Sequence, residues 1–126
     1  MLFGFEIDRR LRAAGSTAAS VVNHPGGALD SLTPSRPPVH VHTTGQRLGA
    51  LPAGILLQGK HIAAWPAARA VLDPAVWGGQ LWGPRVFGLR GAPRPEPVRG
   101  VLADTALAAR LWAASVELTG VNPFTR

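Results

Sequence analysis

Apolar and polar positions along the chain alternate between helical and extended patterns, with long unpatterned stretches between them. From Leu2 to Ala14, Phe3, Ile7 and Leu11 recur at i, i+4 and i+8, the spacing of one helical face. Glu6 precedes Arg10 by four residues, a favourable ion-pair spacing on a helix. An amphipathic helix is predicted here, with Gly15 as its stop, because glycine readily takes the left-handed conformation that follows a last turn. No capping residue precedes Leu2, so the pattern reads as a helix cut rather than begun. Thr17 to Asn23 is small and β-branched without alternation, which predicts a short strand covered on both faces, as parallel strands are. His24-Pro25-Gly26-Gly27 ends it.

Ala28 to about Thr44 is rich in Pro, Ser and Thr and reads as an irregular loop. Leu48 to Leu57 suits a short helix with Pro52 near its start. His61 to Leu72 suits a better one, closed by Asp73-Pro74, with Pro66 either in a first turn or at a kink. Gly78 to Pro84 predicts a very short strand, and residues 85 to 100, with Pro93, Pro95 and Pro97, predict irregular chain. Asp104 is a suitable N-cap for a last helix whose face is Leu107, Leu111, Ser115 and Leu118 and whose end is Gly120. Helix, strand, loop, helix, short strand, loop, helix is the order of the second half of a doubly wound α/β domain.

Composition narrows the chemistry. At 126 residues one domain with a modest core is expected, and no run of 18 apolar residues or secretory leader is visible, which makes a cytoplasmic location the expectation and a membrane span excluded. The absence of Cys removes disulfides, thiolate nucleophiles and thiolate metal sites together. The formal charge of +6 is dispersed, with one tight cluster at Arg9, Arg10 and Arg12, which favours a solvated helix face over a nucleic-acid surface. His40 and His42 flank Val41 and would face one side of an extended segment, but no third ligand is fixed by the sequence, so no metal site is assigned. His24 is a candidate proton-transfer group or a strand-end packing residue. Ser20, Ser31, Ser35 and Ser115 lack a nucleophile-elbow motif. Trp65, Trp77, Trp82 and Trp112 read as core and interface anchors.

Three stretches together resemble the short-chain dehydrogenase/reductase family, in particular its retinol-dehydrogenase-like and actinobacterial members. They are Leu2-Phe3-Gly4-Phe5-Glu6-Ile7-Asp8-Arg9-Arg10-Leu11 with the following strand and His24-Pro25-Gly26, then Leu72-Asp73-Pro74 running into Gly78-Gly79-Gln80-Leu81-Trp82-Gly83-Pro84, then Arg110-Leu111-Trp112 with Glu117-Leu118-Thr119-Gly120. The resemblance implies an α/β fold, the incomplete C-terminal half of a Rossmann-like doubly wound parallel sheet with long irregular loops. It implies one partial domain over 1–126, in which 1–27 is the end of a catalytic helix with a strand and Pro-Gly turn, 28–60 a substrate-loop region, and 61–126 the C-terminal helices and short strand.

An NAD(P)-dependent oxidoreductase is implied by descent, with NAD or NADP as cofactor and a Tyr, a Lys four residues on and a Ser as the family's catalytic set. No Tyr occurs in the chain and its one Lys, Lys60, lies far from the first helix, so no catalytic residue is assigned and Met1 is expected to fall just beyond the family's Tyr and Lys. By resemblance, Pro25 and Gly26 match a turn where the backbone passes beside the nicotinamide, and Asp30 stands where the family usually has a Thr bonded to the carboxamide or a phosphate. An ionised carboxylate there would repel a pyrophosphate. A truncated, inactive oxidoreductase is therefore expected, forming a homo-oligomer or, as the alternative, acting as a non-catalytic module that pairs with an intact dehydrogenase paralogue.

Overall fold

A computed structural model describes residues 1–39 and 41–124. In chain order its elements are α1 (Leu2–Ala13), β1 (Val22–Asn23), α2 (Thr44–Ala50), α3 (Lys60–Ala63), α4 (Trp65–Leu72), β2 (Leu81–Val86), β3 (Arg90–Glu96) and α5 (Thr105–Thr119), with single 3₁₀ turns at Asp30–Leu32, Pro52–Ile55 and Gly100–Ala103. They divide into two compact units. Met1–Val22, Pro74–Leu81 and Glu96–Arg126 form the first, and Asn23–Asp73 with Trp82–Pro95 form the second.

In the first unit α1 and α5 pack through aromatic side chains. Phe3 stacks on Trp112 with ring centroids 4.9 Å apart, Phe124 lies against the same indole at 5.5 Å, and the Arg10 guanidinium sits 4.5 Å over its ring. Phe5, Val22 and Leu81 form a small core, with Val98 and Leu102 packed against it. The buried side of α1 thus carries Phe5, Glu6 and Asp8, not the predicted Phe3, Ile7 and Leu11, which are half-buried or exposed. The helix turns its carboxylates inward because Arg partners neutralise them: Glu6 meets Arg9 at 2.6 Å and Arg10 at 2.7 Å, and Asp8 meets Arg12 at 2.6 Å. The Arg10 pair is the one the spacing predicts. The cluster of Arg9, Arg10 and Arg12 is consequently spent on internal ion pairs.

Helix α5 departs from its predicted face in the same way. Ala108 and Trp112 are buried, whereas Leu111 and Leu118 are exposed; the large indole, stacked on Phe3, sets the rotation of the helix. Its ends are as expected. Asp104 Oδ1 accepts the Leu107 N–H at 2.8 Å, and Gly120 closes the helix at φ 68°.

The strands are ordered β1-β2-β3. Gly79 N–H donates to Ser20 O, Val22 N–H to Gln80 O and His24 N–H to Trp82 O, so both chains advance in the same direction and β1 and β2 are parallel. β3 returns antiparallel as a hairpin, which makes the sheet mixed. The irregular chain expected over 85–100 is therefore a strand and a 3₁₀ turn: Pro93 and Pro95 sit on the edge strand, where a missing donor can face away from the ladder. The strand expected over 17–23 shrinks to Val22–Asn23, and the helix expected over 48–57 is α2 followed by a 3₁₀ turn.

The helix expected over 61–72 is divided at Ala64 into α3 and α4, and Pro66 lies in the first turn of α4, where its missing N–H costs nothing. In the second unit Trp82 is buried, with the Arg69 guanidinium 4.9 Å from its ring.

The hairpin turn stores strain. Leu89 N–H donates to Val86 O at 2.9 Å, and the two residues between, Phe87 and Gly88, have φ of 52° and 67°, the pattern of a two-residue hairpin turn that Asn-Gly fills best. Phe87 is 85% exposed, so its ring recovers little for the left-handed backbone. Phe87→Asn is expected to stabilise the protein by about 1 kcal/mol, seen as a higher denaturant midpoint at unchanged slope; a lower midpoint would mean that the ring is held by contacts.

Candidate functional site

The segment from His24 to Asp30 carries all the residues assigned to a cofactor by resemblance, and it lies within the second unit. Gly26 adopts φ 70°. A Cβ there would stand 2.6 Å from Leu89 O, 2.7 Å from Pro84 Cγ and 2.8 Å from Gly88 O, and Gly27 N–H donates to Leu89 O at 2.9 Å. The turn is pressed onto the β2–β3 hairpin. Its glycine is accounted for by that close approach of two backbones.

Gln58 holds the other side of the segment. Its backbone N–H donates to Gly27 O and its carbonyl accepts from Leu29 N–H, an isolated parallel bridge centred on Ala28. Its side-chain Nε2 donates to Pro25 O at 3.2 Å, while Oε1 accepts the Gly91 N–H at 2.8 Å. Gln58 is 4% exposed, so these bonds form away from competing water. Arg90 adds a second tie, donating through one guanidinium nitrogen to Gly54 O and Ile55 O. Sequence reasoning missed Gln58, because a lone glutamine between apolar segments has no motif.

Asp30 opens the 3₁₀ turn, and its Oδ1 lies 2.6 Å from Lys60 Nζ. The ammonium offsets the charge expected to repel a pyrophosphate. Lys60 also donates its backbone N–H to Thr33 Oγ1 at 3.0 Å, so Asp30, Thr33 and Lys60 tie two distant segments together. Pro25, Gly26 and Asp30 thus share one stretch of chain, but the side-chain-free face of Gly26 meets protein backbone. A nicotinamide ring cannot lie against that face, and no Tyr exists in the chain to exchange a proton. No reaction step is derived through a nicotinamide dinucleotide from these residues.

His42 lines a separate cavity of about 440 Å³ with Asp30, Ser31 and Gln46; its suggested companion His40 lies outside the described residues. Among the described residues no group of three His, Cys, Asp or Glu is arranged to hold a metal. Two of the serine hydroxyls make hydrogen bonds within the protein: Ser35 Oγ accepts from Arg47 at 3.0 Å, and Ser115 Oγ donates to Leu111 O at 2.8 Å. Trp82 and Trp112 are buried as anticipated, whereas Trp65 and Trp77 are exposed. Among the described residues no helix is long and apolar enough to cross a membrane.

No protein-family model and no curated protein matches this chain. Among solved structures, it is similar to an uncharacterized protein from Mycobacterium paratuberculosis, at 28% identity and a TM-score of 0.59 over 99% of this chain. The chain spans 37% of the length of that protein.

Proposed function

We propose that this chain is the C-terminal, substrate-side portion of a short-chain dehydrogenase/reductase-type oxidoreductase that does not transfer hydride by itself. The observation that carries the reading is the parallel pairing of β1 with β2. These are the two strands whose sequences resemble the family, one leading into Pro25-Gly26 and the other opening on Leu81-Trp82, and neighbouring parallel strands are what a Rossmann-like sheet requires of them. The mixed α/β architecture supports the same reading. Within these residues the protein has neither the phosphate-binding turn nor the proton-transfer Tyr that such chemistry needs.

The test is a fluorescence titration of the purified chain with NADPH and NADH, paired with an assay of hydride transfer to an alcohol or ketone panel. No saturable binding below roughly 100 μM is expected, and no turnover. Micromolar binding or measurable turnover would sink the reading.

A second reading, a non-catalytic module that pairs with an intact dehydrogenase, is favoured by one feature. Leu48, Leu51, Ile55 and Leu56 all lie more than half exposed within nine residues of the second unit, an apolar surface of the kind that partners cover. Co-elution with a full-length dehydrogenase, lost on Leu51→Glu, separates it from the first.

A further inference from the structure

A cavity of about 390 Å³ in the second unit is lined by Thr33, Pro34, Ser35, Arg36, Lys60 and His61. We propose that it binds a small phosphate monoester, a site independent of the oxidoreductase reading. Three of the lining side chains are nitrogen donors, two more carry hydroxyls, and none is a carboxylate. Arg36 and His61 make no side-chain hydrogen bond or ion pair among the described residues. Their donors are therefore available to a ligand without breaking an existing contact.

The neighbouring charges favour an anion. Lys60 is paired with Asp30 at 2.6 Å, an ion pair without hydrogen-bond alignment, and its ammonium carries three N–H donors. Arg47 donates to Ser35 Oγ at 3.0 Å, adding a cation beside the cavity and leaving the Ser35 hydroxyl hydrogen free to turn toward a ligand. Arg36, Lys60 and Arg47 against Asp30 make a positive excess at a concave site, which concentrates anions.

The two lining segments are also fixed in place. Thr33 is buried, and its Oγ1 accepts the Lys60 N–H at 3.0 Å. The His61 ring lies against Gly59, where an added Cβ would stand 2.7 Å from its Cε1 and Nδ1 and 2.6 Å from Leu32 O. Donors held before the ligand arrives bind with less loss of freedom. A guanidinium fork matches two oxygens of a phosphate, and an ammonium serves a third as a point charge. The volume admits an organic group beyond the phosphate.

The test is isothermal titration of the full chain with inorganic phosphate, phenyl phosphate and benzoate up to roughly 10 mM. Saturable binding of phenyl phosphate is expected, with benzoate at least about tenfold weaker, because a planar monoanion satisfies fewer of the donors. Arg36→Gln and His61→Gln should each weaken phenyl phosphate by roughly tenfold, whereas Arg85→Gln, an exposed arginine that does not line the cavity, should leave it unchanged. Arg36 is exposed and makes no side-chain hydrogen bond or ion pair among the described residues, so its replacement keeps the fold. No saturable binding, equal affinity for benzoate, an unchanged affinity in Arg36→Gln, or an equal loss in Arg85→Gln would each overturn the proposal. A single-stranded oligonucleotide that binds tighter than phenyl phosphate and is weakened by all three substitutions alike would instead identify a general polyanion surface.

Discussion

Asp8→Ala is expected to lower the stability of the protein by about 3 kcal/mol. The Asp8 side chain is 1% exposed. Its Oδ1 accepts the Ser20 N–H at 3.2 Å and its Oδ2 lies 2.6 Å from the Arg12 guanidinium, an ion pair without hydrogen-bond alignment. Most of the loss comes from the backbone and the cavity. The Ser20 amide would be left without its acceptor, at a cost of about 1–3 kcal/mol, and the space between α1 and the Gly78-Gly79 turn would empty. Arg12 is largely exposed, so it recovers water when its partner goes and adds little.

Asp8→Asn keeps an acceptor and the volume and should cost only about 1 kcal/mol. Denaturant midpoints at constant slope measure both. Equal losses in the two variants would show that charge, not the amide acceptor, is what matters. Gly78 supplies an independent check, since a Cβ there would collide with the Asp8 carboxylate. Gly78→Ala should therefore be damaging in the parent and much less so in Asp8→Ala, a coupling that a double-mutant cycle reads directly.

Gln58→Leu is expected to cost a similar amount, about 3 kcal/mol, by leaving the Pro25 carbonyl and the Gly91 N–H unpaired together. The substitution keeps a side chain of similar bulk and removes both polar atoms. Gln58→Glu separates the two bonds, because a carboxylate can still accept from Gly91 but has no N–H for Pro25 and places its charge against that carbonyl. Hydrogen exchange at the Gly91 amide should accelerate in Gln58→Leu and stay protected in Gln58→Glu. If Gly91 remains protected in Gln58→Leu, the hairpin is held by contacts other than Gln58.

These two buried polar side chains mark where the sequence stops being legible. Gln58 carries no periodicity or motif and is understood only through Pro25 and Gly91; Asp8 has Arg12 at helical ion-pair spacing, but its near-complete burial is understood only through Ser20 and Gly78, distant in the chain. The same limit explains the helix faces. The spacing of Phe3, Ile7 and Leu11 predicts a helix correctly, and Phe3 packs on Trp112, but full burial falls on Phe5, Glu6 and Asp8, because arginines four residues on make the two carboxylates cheap enough to bury. It also explains β3, where Pro93 and Pro95 argue against a strand that an edge position permits. In the candidate site, Pro25 and Gly26 stand out as a turn, yet only the position of the hairpin backbone shows that Gly26 is required by packing.

What the amino-acid sequence determined by itself is local: the helices beginning at Leu2 and Thr105, the stops at Gly15 and Gly120, the cap at Asp104, the first-turn option for Pro66 and the Glu6–Arg10 pair. Each depends on residues within about four positions of one another, where helical geometry and backbone preference suffice. Composition also determined the absence of a Tyr and of any thiol. Only the tertiary structure decided which helix faces are buried, that the sheet is mixed, that Lys60 neutralises Asp30, and that Arg36, Lys60 and His61 line one cavity. Those outcomes depend on segments brought together across tens of residues, and the free energy that selects them lies in shared burial and hydrogen bonding that no single segment possesses.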